Sequence, residues 1–337
     1  MDPFIKQKKL TGVKKNNNLL SVKIDKLVLK NPLLTCSGTS GSSHEISFLE
    51  ENKYVLDALG AFVTKGVTLN PSPGNKPPRI VEMRSANGII NSIGLQNKGA
   101  KLFVKEDLPN LLKYNLPIIV NISASSSEEF GDLAKYLNEY DINKVISGIE
   151  INLSCPNIKK GGIAFGTDPQ IIEKIVRKIK DNIDNRITLI TKLTPNVTDI
   201  TIPAKAAING GTNVLSMINT LRAIAIDVER KKPFLGNKVG GLSGPCIKPV
   251  GLFMVYECYK KIRECHEKKI PIIGIGGISD HYDVLEYIMA GASAVGIGTQ
   301  WFIDNYVFNK IYSNLSNYVN ENNCSINSLI GIAHEEG

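Results

Sequence analysis

The stretch IEINLSCPN (149–157) gathers the densest set of reactive side chains: Asn152 and Asn157 flank Cys155, and Pro156 follows the thiol directly. The proline fixes the backbone just after the sulfur and removes a donor there. A thiol so placed could be a nucleophile, a base or a metal ligand. No motif brings a histidine or a second cysteine to it, so a metal site and a Cys–His pair lose support. An inert, packed thiol is the competing reading, because free cysteines are commonly buried. Neutral amides recognise a planar imide or carboxylate without imposing charge. Asn91, Asn152, Asn157 and Asn219 could therefore hold a small planar acid by paired donors and acceptors.

Two lysines, Lys65 in FVTKG and Lys192 in LITKL, end apolar runs. A buried ammonium without a partner is costly, so each must meet an anion or an electron-rich acceptor. A reduced flavin is such an acceptor, and a structural ion pair with a carboxylate is the alternative. The glycine groups GIGG (274–277) and GIGT (296–299) let a backbone approach phosphate oxygens, with Thr299 adding a hydroxyl. Tight turns without a ligand would need the same glycines. Neither group has the G-x-G-x-x-G spacing of a dinucleotide fold, which favours a mononucleotide.

Elements able to position these groups recur along the chain. Candidate strands are NPLLTCSG (31–38), AFVTKGVT (61–68), PIIVNIS (117–123), GIEINLS (148–154), ITLITKL (187–193), NVLSMIN (213–219), PIIGIGG (271–277) and AVGIGT (294–299). Helical periodicity separates most of them, as in PQIIEKIVRKIKDNI (169–183), where isoleucines recur against a Lys/Arg face. Alternating strands and helices imply right-handed crossovers and a parallel sheet, and eight units favour a TIM (β/α)8 barrel. Its C-terminal mouth would collect Ser37, Gly38, Lys65, Asn121, Asn152, Lys192, Asn219, Thr220, Gly276, Gly277, Gly298 and Thr299. Two stretches break the rhythm: residues 70–96, with PSPGNKPPR, read as an ordered excursion, and residues 221–249 as a long loop after the sixth strand.

Of the 337 residues, 42% are hydrophobic and 21% charged, which points to a globular chain. The net charge of +8 is partly local: Lys6, Lys8, Lys9, Lys14 and Lys15 crowd residues 1–20, which read as a basic, disordered leader before a single barrel at 21–337. Lacking a membrane-length apolar stretch or a signal-peptide h-region, the chain is expected in the cytosol, apart from membranes and nucleic acid. The cysteines at 36, 155, 246, 258, 265 and 324 form no C-x-x-C pair. That argues against a zinc ribbon or an iron–sulfur cluster within the chain and for free thiols.

Taken in order, INLSCPN (151–157), NSIGLQN (91–97), GNKPPR (74–79), TKLTPNV (191–197), GNKVGGLSGPCIKP (236–249) and the paired GIGG and GIGT carry a family resemblance. From about residue 21 to about 302, and again at INSLIGIAH (326–334), the chain resembles soluble class 1 dihydroorotate dehydrogenase. The resemblance implies oxidation of dihydroorotate to orotate, with one FMN per chain and Cys155 as the base where membrane-associated relatives carry serine. It implies substrate contacts from Lys65, Asn91, Ile93, Gly94, Leu95, Asn152, Asn157, Asn219 and Thr220. Flavin contacts are implied for Ser37, Lys65, Gly66, Asn121, Asn152, Lys192 and Ile218, and for Gly244, Gly276, Gly277, Gly298 and Thr299 at its phosphate end.

GGIAFGTDP (161–169) resembles the NAD-linked type more than the fumarate-using homodimeric type. That type implies a heterotetramer of two catalytic chains with two partner subunits bearing FAD and a 2Fe–2S cluster. SGTSGSSHE (37–45) and INTLRAIAID (218–227) depart from the family pattern, the first by lacking an aromatic in its turn, the second by Arg222 and Ala223. The rivals are another FMN barrel, either dihydropyrimidine dehydrogenase-like or a tRNA dihydrouridine synthase, and a non-catalytic phosphate-binding barrel, which would be colourless.

Overall fold

A computed structural model of the chain describes residues 19–43, 53–154, 156–157, 163–265 and 269–335. Eight strands form one parallel sheet: β1 Leu33–Thr35, β2 Phe62–Val63, β3 Ile118–Ile122, β4 Ile146–Asn152, β5 Thr188–Leu193, β6 Val214–Met217, β7 Ile272–Ile275 and β8 Ala294–Ile297. Their order is β1-β8-β7-β6-β5-β4-β3-β2, and a parallel bridge between Leu34 and Ala61 closes the ring. Every residue of β3 and β5 is buried, as expected of parallel strands covered on both faces. The fold is a TIM barrel, and each strand falls within or overlaps a run read from the sequence.

Helices α1 Lys53–Ala58, α2 Ser127–Tyr140, α3 Pro169–Lys180, α4 Thr201–Asn209, α5 Lys248–Cys265 and α6 His281–Met289 lie between strands, and α7 Val307–Glu321 follows β8. α3 shows why such segments fold locally. The Asp168 carboxylate accepts from the N–H groups of Gln170 and Ile171, Pro169 occupies the first turn, and Arg177, Lys178 and Lys180 sit in the last. Its Ile172, Ile175, Val176 and Ile179 are buried. Among the described residues no helix is long and apolar enough to cross a membrane.

The two stretches that interrupt the rhythm meet each other. Ile80–Met83, Gly88–Asn91, Val239–Ser243 and Leu221–Ile224 form a four-stranded antiparallel sheet in which Gly241 pairs with Asn91 and Leu221 with Leu242. The excursion at 70–96 is ordered as expected. The stretch after β6 is strand where a loop was expected. Its Gly240 and Gly241 hide the pattern, because glycine has little strand preference of its own. Both are required: a Cβ at Gly241 would strike the Thr220 side chain, and one at Gly240 the Asn91 carbonyl. At the opposite end of the barrel, a hairpin of Val22–Ile24 and Leu27–Leu29 is tied to β5 by the Thr188 hydroxyl, which donates to Asp25.

β4 enters the barrel through a buried carboxylate. Asp141 accepts from the N–H groups of Val145 at 2.7 Å and Ile146 at 3.1 Å, and pairs with Arg186 at 2.6 Å. Asp141→Ala should destabilise the chain by about 3 kcal/mol, because it strands two backbone donors and the guanidinium. Urea denaturation checks this, and a loss below about 1 kcal/mol would show that water replaces the carboxylate.

Candidate active site

Adjacent strands bring three polar side chains together inside the barrel. Asn121 of β3 lies opposite Glu150 of β4 in the strand register, and Lys192 of β5 lies between Asn152 of β4 and Ser216 of β6. Asn121 is 1% exposed, Glu150 2% and Lys192 5%. The Glu150 carboxylate accepts from Asn121 Nδ2 at 2.7 Å and from the Ser216 hydroxyl at 2.8 Å. Lys192 Nζ stands 4.0 Å from the same carboxylate and donates to Ser37 Oγ at 3.4 Å. The carboxylate partner considered for a buried lysine is thus present at Lys192. It is a loose one, since a close charge-assisted bond would be nearer 2.8 Å.

The second Asn121 amide atom is unsatisfied. Its Oδ1 is buried without a hydrogen-bond partner, beside Gly66, where a Cβ would come within 3.1 Å of it and 3.5 Å of Leu95. Cys36, at the end of β1, is buried nearby. Burial pushes its thiol up to about 12, with Lys192 opposing the rise and Glu150 adding to it.

Lys65 behaves differently from Lys192. It is half-buried, its N–H donates to the Gly41 carbonyl at 2.6 Å, and its ammonium makes no ion pair or hydrogen bond among the described residues.

A chain of amides lines the next part of the mouth. Asn219 Nδ2 donates to Asn152 Oδ1 at 3.1 Å and to Ser154 Oγ at 2.8 Å, while its Oδ1 accepts from the Thr220 N–H at 2.8 Å. Asn91 comes in from the antiparallel sheet, its Nδ2 donating to the Gly241 carbonyl at 3.3 Å. The turn after it is set by Gly94 at φ +75° and Leu95 at φ +58°, with the Ile93 carbonyl accepting from the Asn75 N–H. A Cβ at Gly94 would collide with Asn75, so only glycine fits there. Asn157 pairs through its backbone with Ile163. Cys155 and the Asn157 side chain lie outside the described residues.

Part of the glycine set meets: a Cβ at Gly277 would lie 3.0 Å from the Gly244 carbonyl, and one at Gly244 3.7 Å from the Thr299 methyl. Gly244, Gly276 and Gly277 have φ of +105°, +133° and +69°, and the Thr299 hydroxyl donates to Ser243 Oγ at 2.9 Å. Gly276 is fixed by the buried Tyr287 hydroxyl, which donates to its carbonyl at 2.8 Å, and Ile218 lies against the same glycine. Gly298 abuts Cys36 and Thr39.

A family model described as dihydroorotate dehydrogenase matches residues 19–319. The chain belongs to the dihydroorotate dehydrogenase family. It is 46% identical over 317 residues, 94% of this chain and 98% of the relative, to "Dihydroorotate dehydrogenase B (NAD(+)), catalytic subunit" of Desulforamulus reducens. It is 44% identical over 314 residues to the protein of the same name from Geobacter sp. strain M21, covering 93% and 97% of the two chains. The chain is therefore an oxidoreductase, in a family that depends on flavin.

Family membership does not single out Glu150, Ser216 or Ser243, and the sequence reading missed all three. Glu150 had a signal, an acid in the middle of the apolar run GIEINLS. Ser216 and Ser243 had none, because serine is common in strands and turns alike.

The elevated Cys36 thiol gives a test of this geometry. Alkylation of the folded chain at pH 8 should modify the exposed Cys265 and leave Cys36 intact until the protein is unfolded. Peptide mapping reads the outcome, and rapid labelling of Cys36 in the folded state would contradict the buried arrangement.

Proposed function

We propose that the chain oxidises (S)-dihydroorotate to orotate in pyrimidine (UMP) synthesis, with Cys155 as base and FMN as the hydride acceptor. The observation that carries this reading is the set of polar groups at one barrel mouth that lack partners among the described residues, in a chain of this family: the buried Asn121 Oδ1 and the Lys65 ammonium, in a mouth that also carries positive-φ glycines. The residues fit FMN. Gly66 leaves open the space that a side chain would fill next to Asn121 Oδ1, an acceptor suited to a ring N–H. Gly244, Gly276, Gly277, Gly298 and Thr299 would hold its phosphate, and Ser37, Ile218 and Lys192 its ring system. When bound, FMN supplies the position that takes up hydride from C6 of the substrate.

The chain's own residues would supply the rest. Cys155 takes the proton from C5 as its thiolate. A thiol of ordinary pKa, about 8.5, is mostly protonated at pH 7, so the rate should rise with pH as the thiolate forms. Asn91, Asn152, Asn157 and Asn219 hold the ring, assisted by Thr220 and the turn at Ile93, Gly94 and Leu95. Lys65 faces the negative charge of the substrate and of the reduced cofactor, which suits an ammonium with no acceptor among the described residues. Residues 21–337 act as one barrel domain in this reading, in the cytosol.

We propose further that electrons leave through a second subunit carrying FAD and a 2Fe–2S cluster, to NAD, in a heterotetramer of two chains of each kind. The relatives' names, which specify a catalytic subunit and NAD(+), support this.

Cys155→Ala should keep its FMN and lose about 10² to 10⁴ in the rate of flavin reduction by dihydroorotate, the usual worth of a positioned base. Stopped-flow absorbance measures this, and reduction at the parental rate would remove Cys155 from the mechanism. The isolated parent chain should reduce dyes but reduce NAD poorly. Efficient NAD reduction without a partner would overturn the two-subunit reading, and efficient fumarate reduction would replace it with the homodimeric type.

A further inference from the structure

Glu150 is the one acid of the β4 strand, and nothing in the proposed reaction uses it. A carboxylate buried to 2% exposure in a barrel interior is costly unless it is compensated. The compensation here comes from Asn121, Ser216 and Lys192, two of which are the residues read above as cofactor contacts. The bond from Asn121 Nδ2 has a further consequence. An amide whose nitrogen is turned to Glu150 points its oxygen away from that carboxylate, and that oxygen is the buried atom left without a partner among the described residues.

We propose that Glu150 is a positioning residue for the cofactor: it fixes the Asn121 amide with its oxygen toward the mouth, anchors Lys192 from below, and lowers the reduction potential of the bound flavin by its charge. The inference rests on the FMN reading. Negative charge accumulates on the flavin as it is reduced, so a nearby carboxylate disfavours the reduced form and a nearby ammonium favours it. Glu150 and Lys192 should therefore act on the potential with opposite signs. A purely structural role predicts no such pattern.

Glu150→Gln isolates the charge. The amide has the same shape, its oxygen can still accept from Asn121 Nδ2, and the Ser216 hydroxyl can rotate to accept from its nitrogen. Anaerobic redox titration of the FMN-loaded protein should give a potential raised by about tenfold in the equilibrium constant for reduction, or about 30 mV for a two-electron couple. Lys192→Gln should shift it the other way. If Glu150→Gln fails to fold because it leaves Lys192 uncompensated, the neutral pair Glu150→Gln/Lys192→Gln avoids that cost. Its potential should then stand above that of Lys192→Gln by a similar factor. A parental potential in Glu150→Gln, or equal potentials in Lys192→Gln and the double variant, overturns the assignment while leaving the FMN reading intact. A parent chain that binds no FMN overturns the reading beneath it.

Discussion

An ammonium and a carboxylate, Lys192 and Glu150, are both buried inside a closed parallel barrel, and the arrangement of the mouth follows from keeping them there. Taking either charge out of water costs several kcal/mol, which only mutual attraction and further hydrogen bonds offset. The strand register supplies those bonds from three sides: Asn121 from β3, Ser216 from β6 and Ser37 from the end of β1. Each of these is a polar side chain on an otherwise apolar strand or at its end. The pair stays 4.0 Å apart, so Lys192 retains unused capacity to interact, which is what a residue needs if it is to face a ligand as well.

Around that buried pair, the mouth is built from parts that cannot form locally. The antiparallel sheet joins residues 80–91 to residues 221–243, and this long-range pairing sets Asn91 against Gly241, which abuts Thr220 in the turn after β6. Thr220 is held by Asn219 on one side and packs where a Cβ of Gly241 would otherwise be. Small residues at 240 and 241 are thus a geometric condition for the sheet to lie close to the mouth. Gly276 depends in a similar way on Tyr287, whose hydroxyl fixes the Gly276 carbonyl from within α6.

Much of this was legible in the sequence, for identifiable reasons. Parallel strands buried on both faces print as apolar runs, so all eight were visible, and α3 announced itself by its isoleucine spacing and its Asp-Pro start. Lys65, Asn121, Lys192 and the glycine pairs stood out because polar or glycine residues ended those runs. The strand at Val239–Ser243 was hidden, since its pattern is glycine-rich and one of its two partner strands lies 150 residues away, as in the Gly241–Asn91 pairing. Glu150 was overlooked for a different reason. Its surroundings come from three neighbours on three other strands, Asn121 of β3, Lys192 of β5 and Ser216 of β6, and cannot be inferred from its own strand.

The central proposal is that this mouth takes a free pyrimidine acid and passes its hydride to FMN, with Lys65, whose ammonium has no ion pair or hydrogen bond among the described residues, read as the partner of the acid group. The most direct measurement is anaerobic mixing of the FMN-loaded chain with dihydroorotate and, separately, with dihydrouracil, which lacks the carboxylate. The account predicts rapid bleaching of the visible flavin absorbance by dihydroorotate, and bleaching slower by about two orders of magnitude or more with dihydrouracil, since losing a substrate group leaves buried polar groups unpaired. Equal rates with both compounds, or no bleaching by dihydroorotate, would contradict it.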